Sequence, residues 1–397
     1  MEKRAFNNKK YQAYLESIAD LSLKPFHINP NVPLRYHPDV DDYTMSGGMA
    51  RTPKGRIWLA WFGCDDNHET VLLLAHSDDG GHSFSDPDFI VDPGFAPGGT
   101  HISALVANIW TAPDGRLHLF VTQSIGYFDG RAGVWQSSCD NPDDNKPIWS
   151  LPARIWHGAA LNKPTVLDNK TILLPISLWD RDVAKITPGR NSDLYPELDA
   201  RRGVNIIASK DEGLTWEWRG YTANPTDRSF DEPMILERED HSLLMYLRNK
   251  HGMTQAESHD EGATWTIPVV TPFSSASARF FLRKLESGNA LLVRYNNTEH
   301  TQDRSHLTAF LSRDDGKTWE GGLLLDERQD VSYPDGYQDP DGIIRIQYDH
   351  HRECGEILMA SFTEEDVLAG RNISGKVRRR QPLIQSYSAL HGLPNAQ

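Results

Sequence analysis

From about residue 40 the apolar positions fall into short runs, each opened by a turn bearing Gly, Asn or Asp. The runs are Gly55-Arg-Ile-Trp-Leu-Ala-Trp, Gly115-Arg-Leu-His-Leu-Phe, Asn169-Lys-Thr-Ile-Leu-Leu, Asp240-His-Ser-Leu-Leu-Met, Gly288-Asn-Ala-Leu-Leu-Val and Gly342-Ile-Ile-Arg-Ile-Gln. Their shortness and their flanking turn residues predict β-strands. A helical pattern precedes them. Tyr11, Tyr14, Leu15, Ile18 and Leu21 recur at helical spacing, so a short amphipathic helix is expected over residues 8–24.

A second pattern, Ser-x-Asp-x-Gly-x-Thr/Ser-Trp/Phe, follows these strands at Ser77 to Phe84, Ser209 to Trp216, Ser258 to Trp265 and Ser312 to Trp319. It has the chemistry of a tight hairpin. The Asp carboxylate folds back onto backbone N–H groups, Gly supplies a positive φ, and the hydroxyl caps the turn. The aromatic ring then plugs the gap between neighbouring sheets. Degenerate versions are Ser138-Cys-Asp140, with Trp149 further on, and Ser361-Phe-Thr-Glu.

The six turns, starting at 77, 138, 209, 258, 312 and 361, recur about every 57 residues, a little above the length of a four-stranded propeller blade. Six units closing on themselves predict an all-β fold, a six-bladed β-propeller. The expected boundaries are a helix and lead-in over 1–39, the propeller over 40–368 and a solvated tail over 369–397, with a basic cluster at Lys376 to Arg380. The polar excursion from Asp180 to Gly203 is long enough to expect a functional or disordered loop.

Charge narrows the partners. Lys and Arg total 41 against 55 Asp and Glu, a net charge of −14, which argues against nucleic acid and anionic membrane surfaces. Cys64, Cys139 and Cys354 are far apart and lack metal-ligand spacing, so they read as reduced thiols, and no metal or cofactor is expected. Met1 to Lys10 is polar, unlike a signal peptide, which places the chain in the cytoplasm unless an export signal has been removed. Asp349-His350-His351 with Glu353 and Cys354 is not expected to hold a metal, because adjacent strand residues point to opposite faces.

In a propeller, the starts of the innermost strands converge on one end of the central axis, where a small ligand can be held. About nine residues upstream of the Gly-turns, those starts carry Tyr43 to Gly47, His101, Lys163, Asp231 with Glu232, Arg279, and Tyr333 with Asp335. Buried strands normally place apolar residues there. The convergence of ionisable groups therefore marks a candidate site.

At this point the chain resembles the sialidase (neuraminidase) superfamily over roughly residues 40–365, its tight turns matching that family's Asp boxes. Asp231-Glu232-Pro-Met-Ile-Leu, running to Arg248, is similar to the segment holding the family's catalytic Glu and one substrate-binding Arg. Asp303-Arg304-Ser-His-Leu resembles the segment supplying another Arg of the carboxylate-binding triad, and Ser332-Tyr333-Pro-Asp-Gly the turn with the nucleophilic Tyr. Asp65 and Asp66 lie near the family's acid/base Asp. The front departs from the pattern: no Arg stands at Tyr43-Thr-Met-Ser-Gly-Gly-Met, where the Phe-Arg-Ile-Pro motif should fall.

The resemblance implies a retaining exo-glycosidase that removes a terminal acidic sugar, sialic acid-like or uronic, from an acidic oligosaccharide. Tyr333 would be its nucleophile and Glu232 the base, because a phenol with a pKa near 10 needs one within reach. Sialidases are known Tyr-nucleophile exceptions to the two-carboxylate scheme. Arg248 and Arg304 would hold the substrate carboxylate, with Arg279 and Lys163 adding positive charge. Asp66 or Asp65 would protonate the leaving oxygen. Two alternatives stand beside this: a propeller lyase or rhamnosidase acting on uronic-acid glycans with His101 and Tyr333 as acid and base, and a non-catalytic carbohydrate-binding propeller.

Overall fold

The computed structural model describes residues 24–96, 98–181, 195–223 and 227–393. Apart from its last residue, the helix expected over 8–24 lies outside them, as do residues 182–194 of the long polar excursion. The described part of that excursion holds one 3-10 turn, Pro196–Arg201.

The apolar runs form six antiparallel sheets arranged as the blades of a β-propeller. In every blade the strand before the Gly-turn is innermost. These inner strands are Met45–Arg51, Ile102–Thr111, Thr165–Val166, Arg228–Glu237, Phe281–Lys284 and Val331–Gln338. Blade 1 gains a fifth strand, Ile28–Asn29, which pairs with residues 90–91 at its outer edge. No helix among the described residues is long and apolar enough to cross a membrane, and the three cysteines are free thiols.

The Asp turns join the third and fourth strands and lock each blade to its predecessor. Asp314 Oδ1 accepts from Ser312 Oγ and Thr318 N, both at 2.8 Å, and its Oδ2 accepts from Thr318 Oγ1 at 2.7 Å. Gly316, at φ +79°, lies so close to blade 4 that a Cβ would stand 2.6 Å from Leu244 Cδ2. Trp319 then donates Nε1 to Tyr246 Oη at 3.0 Å. Trp216 makes the equivalent reach from blade 3, donating to Gln136 Oε1 of blade 2 at 2.5 Å.

Blade 6 corrects the expected tail. Ser361 does not begin an Asp turn; Thr363 instead caps the helix Glu364–Ala369, with Asp366 completing a capping box. After this insertion, Arg378–Gln385 returns as the fourth strand of the blade, paired to Glu356–Phe362. The basic cluster is correspondingly not a free end. Arg379 donates to the Leu324 carbonyl at 2.7 Å and Arg380 pairs with Asp326 and Glu327, tying blade 6 to blade 5.

Blade 6 is built wholly from the C-terminal part of the chain, so the ring closes without strand exchange. Apolar packing of Met49, Ile57 and Leu59 against Ile357, Met359 and Leu383 closes it, together with hydrogen bonds. Ser46 N donates to Asp349 Oδ2 at 2.9 Å, Met49 N to Asp335 Oδ2 at 2.9 Å, and Ser46 Oγ to the Tyr333 carbonyl at 3.0 Å. The middle of the axis is a buried polar plug rather than a channel. Lys163 pairs with Asp335, while Arg279 donates Nε to Asn162 Oδ1 at 2.6 Å and lies 3.5 Å from Asp335.

Candidate functional site

The inner strands do not run straight into the axis. Ladder pairing shifts register near the start of four of them, at Ser46/Gly48, Ala104/Val106, Asp231/Met234 and Ser332/Asp335. Such bulges re-aim side chains. Two carry residues in the left-handed region, Glu232 at φ 42° and Tyr333 at φ 53°. A non-glycine residue held there costs of order 1–3 kcal/mol, which marks the pair for attention.

Those two side chains meet across the axis. Tyr333 Oη donates to Glu232 Oε1 at 3.3 Å, and Arg248 Nη1 donates to the same oxygen at 2.8 Å. Glu232 Oε2 is buried with no hydrogen-bond partner. Burial pushes the Tyr333 phenol above its usual pKa and the Glu232 charge adds to this, while Arg352 and Arg248 oppose it.

Around this pair lies a cavity of about 120 Å³, with Met45, Leu105, Val106, Leu161, Trp179 and Phe230 on its apolar side. Three guanidinium groups face it. Arg248 lies 5.1 Å over the Phe230 ring, Arg304 donates to Ser332 Oγ at 3.0 Å, and Arg352 lies 4.2 Å over the Tyr333 ring. Arg352 is anchored by Asp349, Nε to Oδ1 at 3.0 Å, but its buried Nη2 has no partner. Asp66 sits on the rim, open to solvent as a residue, with Tyr127 Oη donating to it at 3.5 Å. Partial burial of the carboxyl raises its pKa and the Asp65 charge adds to this, Arg352 being the main opposing influence, while the residue's access to solvent limits the rise. Three cations face one buried carboxylate and one rim carboxyl whose pKa is raised. The cavity suits an anion.

The structure therefore brings together Tyr333, Glu232, Asp66, Arg248 and Arg304. It leaves the other candidates elsewhere. Asp65 is exposed and accepts from Asn67 Nδ2 at 2.8 Å. His101 turns away to Asp92 at 3.2 Å and the His68 carbonyl at 2.8 Å. Asp231 points back to Arg228 at 2.6 Å, since the bulge sends consecutive carboxylates in different directions. Lys163, Arg279 and Asp335 belong to the polar plug deeper in the axis, although the Arg279 guanidinium still lies 5.7 Å from the Tyr333 ring centroid. Tyr43 is buried beside the site, its hydroxyl 3.7 Å from Met45 Sδ. In the Asp349-His350-His351 run, Asp349 serves Ser46 and Arg352, whereas His350 bonds Glu356 at 2.9 Å.

Sequence reasoning missed Arg352 and Tyr127, and a positional signal exists for both. Each blade sends a residue into the cavity from the end of its second strand or the connection to its third: Asp66, Tyr127, Trp179, Arg248, Arg304 and Arg352. Arg352 follows the second strand of blade 6 by two residues, close to the place Arg248 holds in blade 4.

Fold and site together define a sialidase-like propeller. The chain belongs to the BNR repeat-like domain family, whose pattern matches residues 52–346. A sialidase of Bacteroides fragilis (strain YCH46) is 31% identical over 149 residues, which covers 34% of this chain and only 26% of that relative's length. Among solved structures, a Dyadobacter fermentans protein of unknown function superposes with TM-score 0.60 at 16% identity, over 86% of this chain and 97% of that one. The Hadza microbial sialidase Hz136 gives 0.59 at 17%, over 82% and 66%. A leech intramolecular trans-sialidase bound to 2,7-anhydro-Neu5Ac gives 0.58 at 13%, over 85% and 70%. At such identities the likeness is one of fold. The family match and the Bacteroides fragilis relative, taken with the sialidase-like propeller, support a glycosidase-like or carbohydrate-binding role.

Proposed function

We infer that the protein is a retaining exo-glycosidase of the sialidase type, acting on a terminal sugar that bears a carboxylate. The observation that carries this reading is the Tyr333–Glu232 pair, 3.3 Å apart and flanked by Arg248, Arg304 and Arg352. An anionic nucleophile would be repelled by a carboxylate on the anomeric carbon; a neutral phenol is not. Because burial raises the phenol's pKa, Tyr333 attacks as it passes its proton to Glu232. Tyr333 Oη forms a bond to the anomeric carbon while the glycosidic C–O bond breaks, and Asp66 gives its proton to the leaving oxygen. In the second half, Asp66 takes a proton from water, whose oxygen attacks the anomeric carbon. Tyr333 leaves and recovers its proton from Glu232. The Arg residues hold the substrate carboxylate throughout.

Product analysis on a panel of sialosides and uronides tests the reading. Release of a free acidic sugar supports it. An unsaturated uronate absorbing in the ultraviolet would mean elimination instead, a chemistry for which His101 is poorly placed given its bonds to Asp92 and His68. Binding without turnover would mean a carbohydrate-binding propeller.

A further inference from the structure

Asp66 sits on a surface connection rather than on a strand. Residues 64–70 join the second and third strands of blade 1, and Asp65, Asp66, His68 and Glu69 within them are exposed. A group that must meet a leaving oxygen needs firmer placement than such a loop provides by itself. Its two ends are fixed by the backbone: Cys64 N donates to Asp41 Oδ2 at 2.7 Å, and the Thr70 carbonyl accepts from Ala104 N at 2.9 Å. The middle is held by a side chain. His101 Nδ1 lies 2.8 Å from the His68 carbonyl, two residues beyond Asp66.

The partners of that imidazole define its state. A carbonyl only accepts, so Nδ1 carries a proton. Nε2 faces the Asp92 carboxylate at 3.2 Å, which accepts as well, so both ring nitrogens donate and the ring is a cation. The hydrogen bond to Asp92 holds the His101 pKa above its usual value against the opposing effect of burial, and the His68 carbonyl and the Glu69 charge add to the rise. Asp92 is itself braced, accepting from Gly94 N and Tyr36 Oη at 3.0 Å each, with Arg35 donating to that same Tyr36 oxygen. The His101 side chain is largely buried, and the Phe95 ring packs against it nearly at right angles, 5.1 Å between centroids. The backbone of His101 serves the other flank of the acid. Its carbonyl accepts from Gly126 N at 2.8 Å, next to Tyr127, whose hydroxyl reaches Asp66. One residue at the start of blade 2 therefore ties down both segments beside Asp66.

We propose that His101 is a positioning residue for the general acid: its imidazolium, braced by Asp92, clamps the Asp66 loop to the start of blade 2, so that the carboxyl stands where the leaving oxygen departs. This role rests on the glycosidase reading and names what places its acid. His101 acts through the His68 carbonyl and touches no substrate.

The test compares two leaving groups. The lactose of sialyllactose needs a proton from Asp66 as it departs, whereas 4-nitrophenolate leaves without one. The ratio kcat/KM covers the steps up to that departure and excludes the later attack of water. His101→Phe keeps a ring and loses both donors. It should lower kcat/KM for sialyllactose about 10- to 100-fold, the scale of a misplaced catalytic group, and for the 4-nitrophenyl sialoside by no more than about twofold. His101→Asn, whose Nδ2 can stand where the imidazole Nδ1 does, should recover most of the loss. Methyl and 4-nitrophenyl glucuronides serve in the same way if the substrate is a uronide. Equal losses on both leaving groups, or no loss on sialyllactose, overturn the proposal. Millisecond hydrogen exchange over residues 64–70 needs no turnover; it should quicken in His101→Phe and stay near native in His101→Asn, and unchanged exchange in His101→Phe overturns the clamp. A native protein that turns over neither substrate sinks the glycosidase reading, a result distinct from a His101 variant that loses both substrates equally.

Discussion

Replacing Arg352 by lysine isolates what its unpartnered nitrogen does. The native guanidinium has two tasks: Nε bonds the buried Asp349 at 3.0 Å, and Nη2 is left free above Tyr333. Arg352→Gln would remove both and strand a buried carboxylate, at a cost of about 3–5 kcal/mol that would swamp any effect on ligand. Arg352→Lys keeps a cation for Asp349 but cannot also reach a ligand in fork geometry. It should therefore lose one charge-assisted hydrogen bond to a bound carboxylate, roughly 1.5–3 kcal/mol. That corresponds to about a 10- to 150-fold rise in the inhibition constant of an unsaturated sialic acid or uronate analogue. The missing front Arg predicts weak binding of such an analogue; Arg352 restores a third guanidinium, so binding to the native protein should be tight. The assay is competitive inhibition beside a thermal melt. An inhibition constant unchanged within about twofold, at a preserved melting temperature, would refute the role given to Arg352.

Other outcomes follow from the same geometry. Tyr333→Phe leaves the Arg248–Glu232 bond in place, so the fold should melt normally while kcat falls by about three orders of magnitude, close to 4 kcal/mol of barrier; unchanged turnover removes Tyr333 as nucleophile. Asp66 needs its proton to act as acid, and its raised pKa keeps that proton to higher pH than an ordinary carboxyl. The rate should fall on the alkaline side, and a pH–rate profile of Asp66→Asn should lack that limb. Asp314→Ala removes three hydrogen bonds from an exposed turn and should lower stability by about 0.5–2 kcal/mol without touching ligand binding, as read by denaturant melts beside titrations. His118 is buried and accepts from Gln136 Nε2, and burial lowers its pKa from 6.5 to about 4. The unfolded chain takes up that proton first, so stability is full above about pH 6.5 and is lost as pH falls toward 4, by up to about 3 kcal/mol. Denaturant midpoints at the two pH values check this, and His118→Phe should reduce the slope.

The blade count was legible because the Asp turn leaves little choice of residue. Gly316 has no room for a Cβ against Leu244, and Asp314 must reach both Ser312 and Thr318. Where that constraint lapses the reading failed: in blade 6 the helix Glu364–Ala369 replaces the turn, and the strand Arg378–Gln385 read as a tail. The site was legible in part. Counting back from the Gly-turns found Glu232 and Tyr333, but also Asp335, two residues further along the Tyr333 strand, and Lys163 and Arg279, which lead into the inner strands of two other blades; all three lie deeper in the axis. Depth along an inner strand, and the bulge that turns Asp231 away from Glu232, depend on pairing that a linear pattern does not record. Arg352 and Tyr127 lie beyond the second strands, outside any window measured from the inner ones.

The seam between the first and last blades has a consequence for how the protein is made. Asp66 leaves the ribosome early, whereas Tyr333 and Arg352 are among the later parts of the propeller to emerge, and their blades exchange no strand but meet through hydrogen bonds such as Ser46–Asp349 and an apolar seam that includes Met49, Leu59, Ile357 and Met359. No nascent chain that stops short of residue 352 can hold all three at once. Turnover would then report completion of the ring itself, appearing only when synthesis has delivered the sixth blade. It would also vanish first when that junction gapes, while individual sheets still retain their strands.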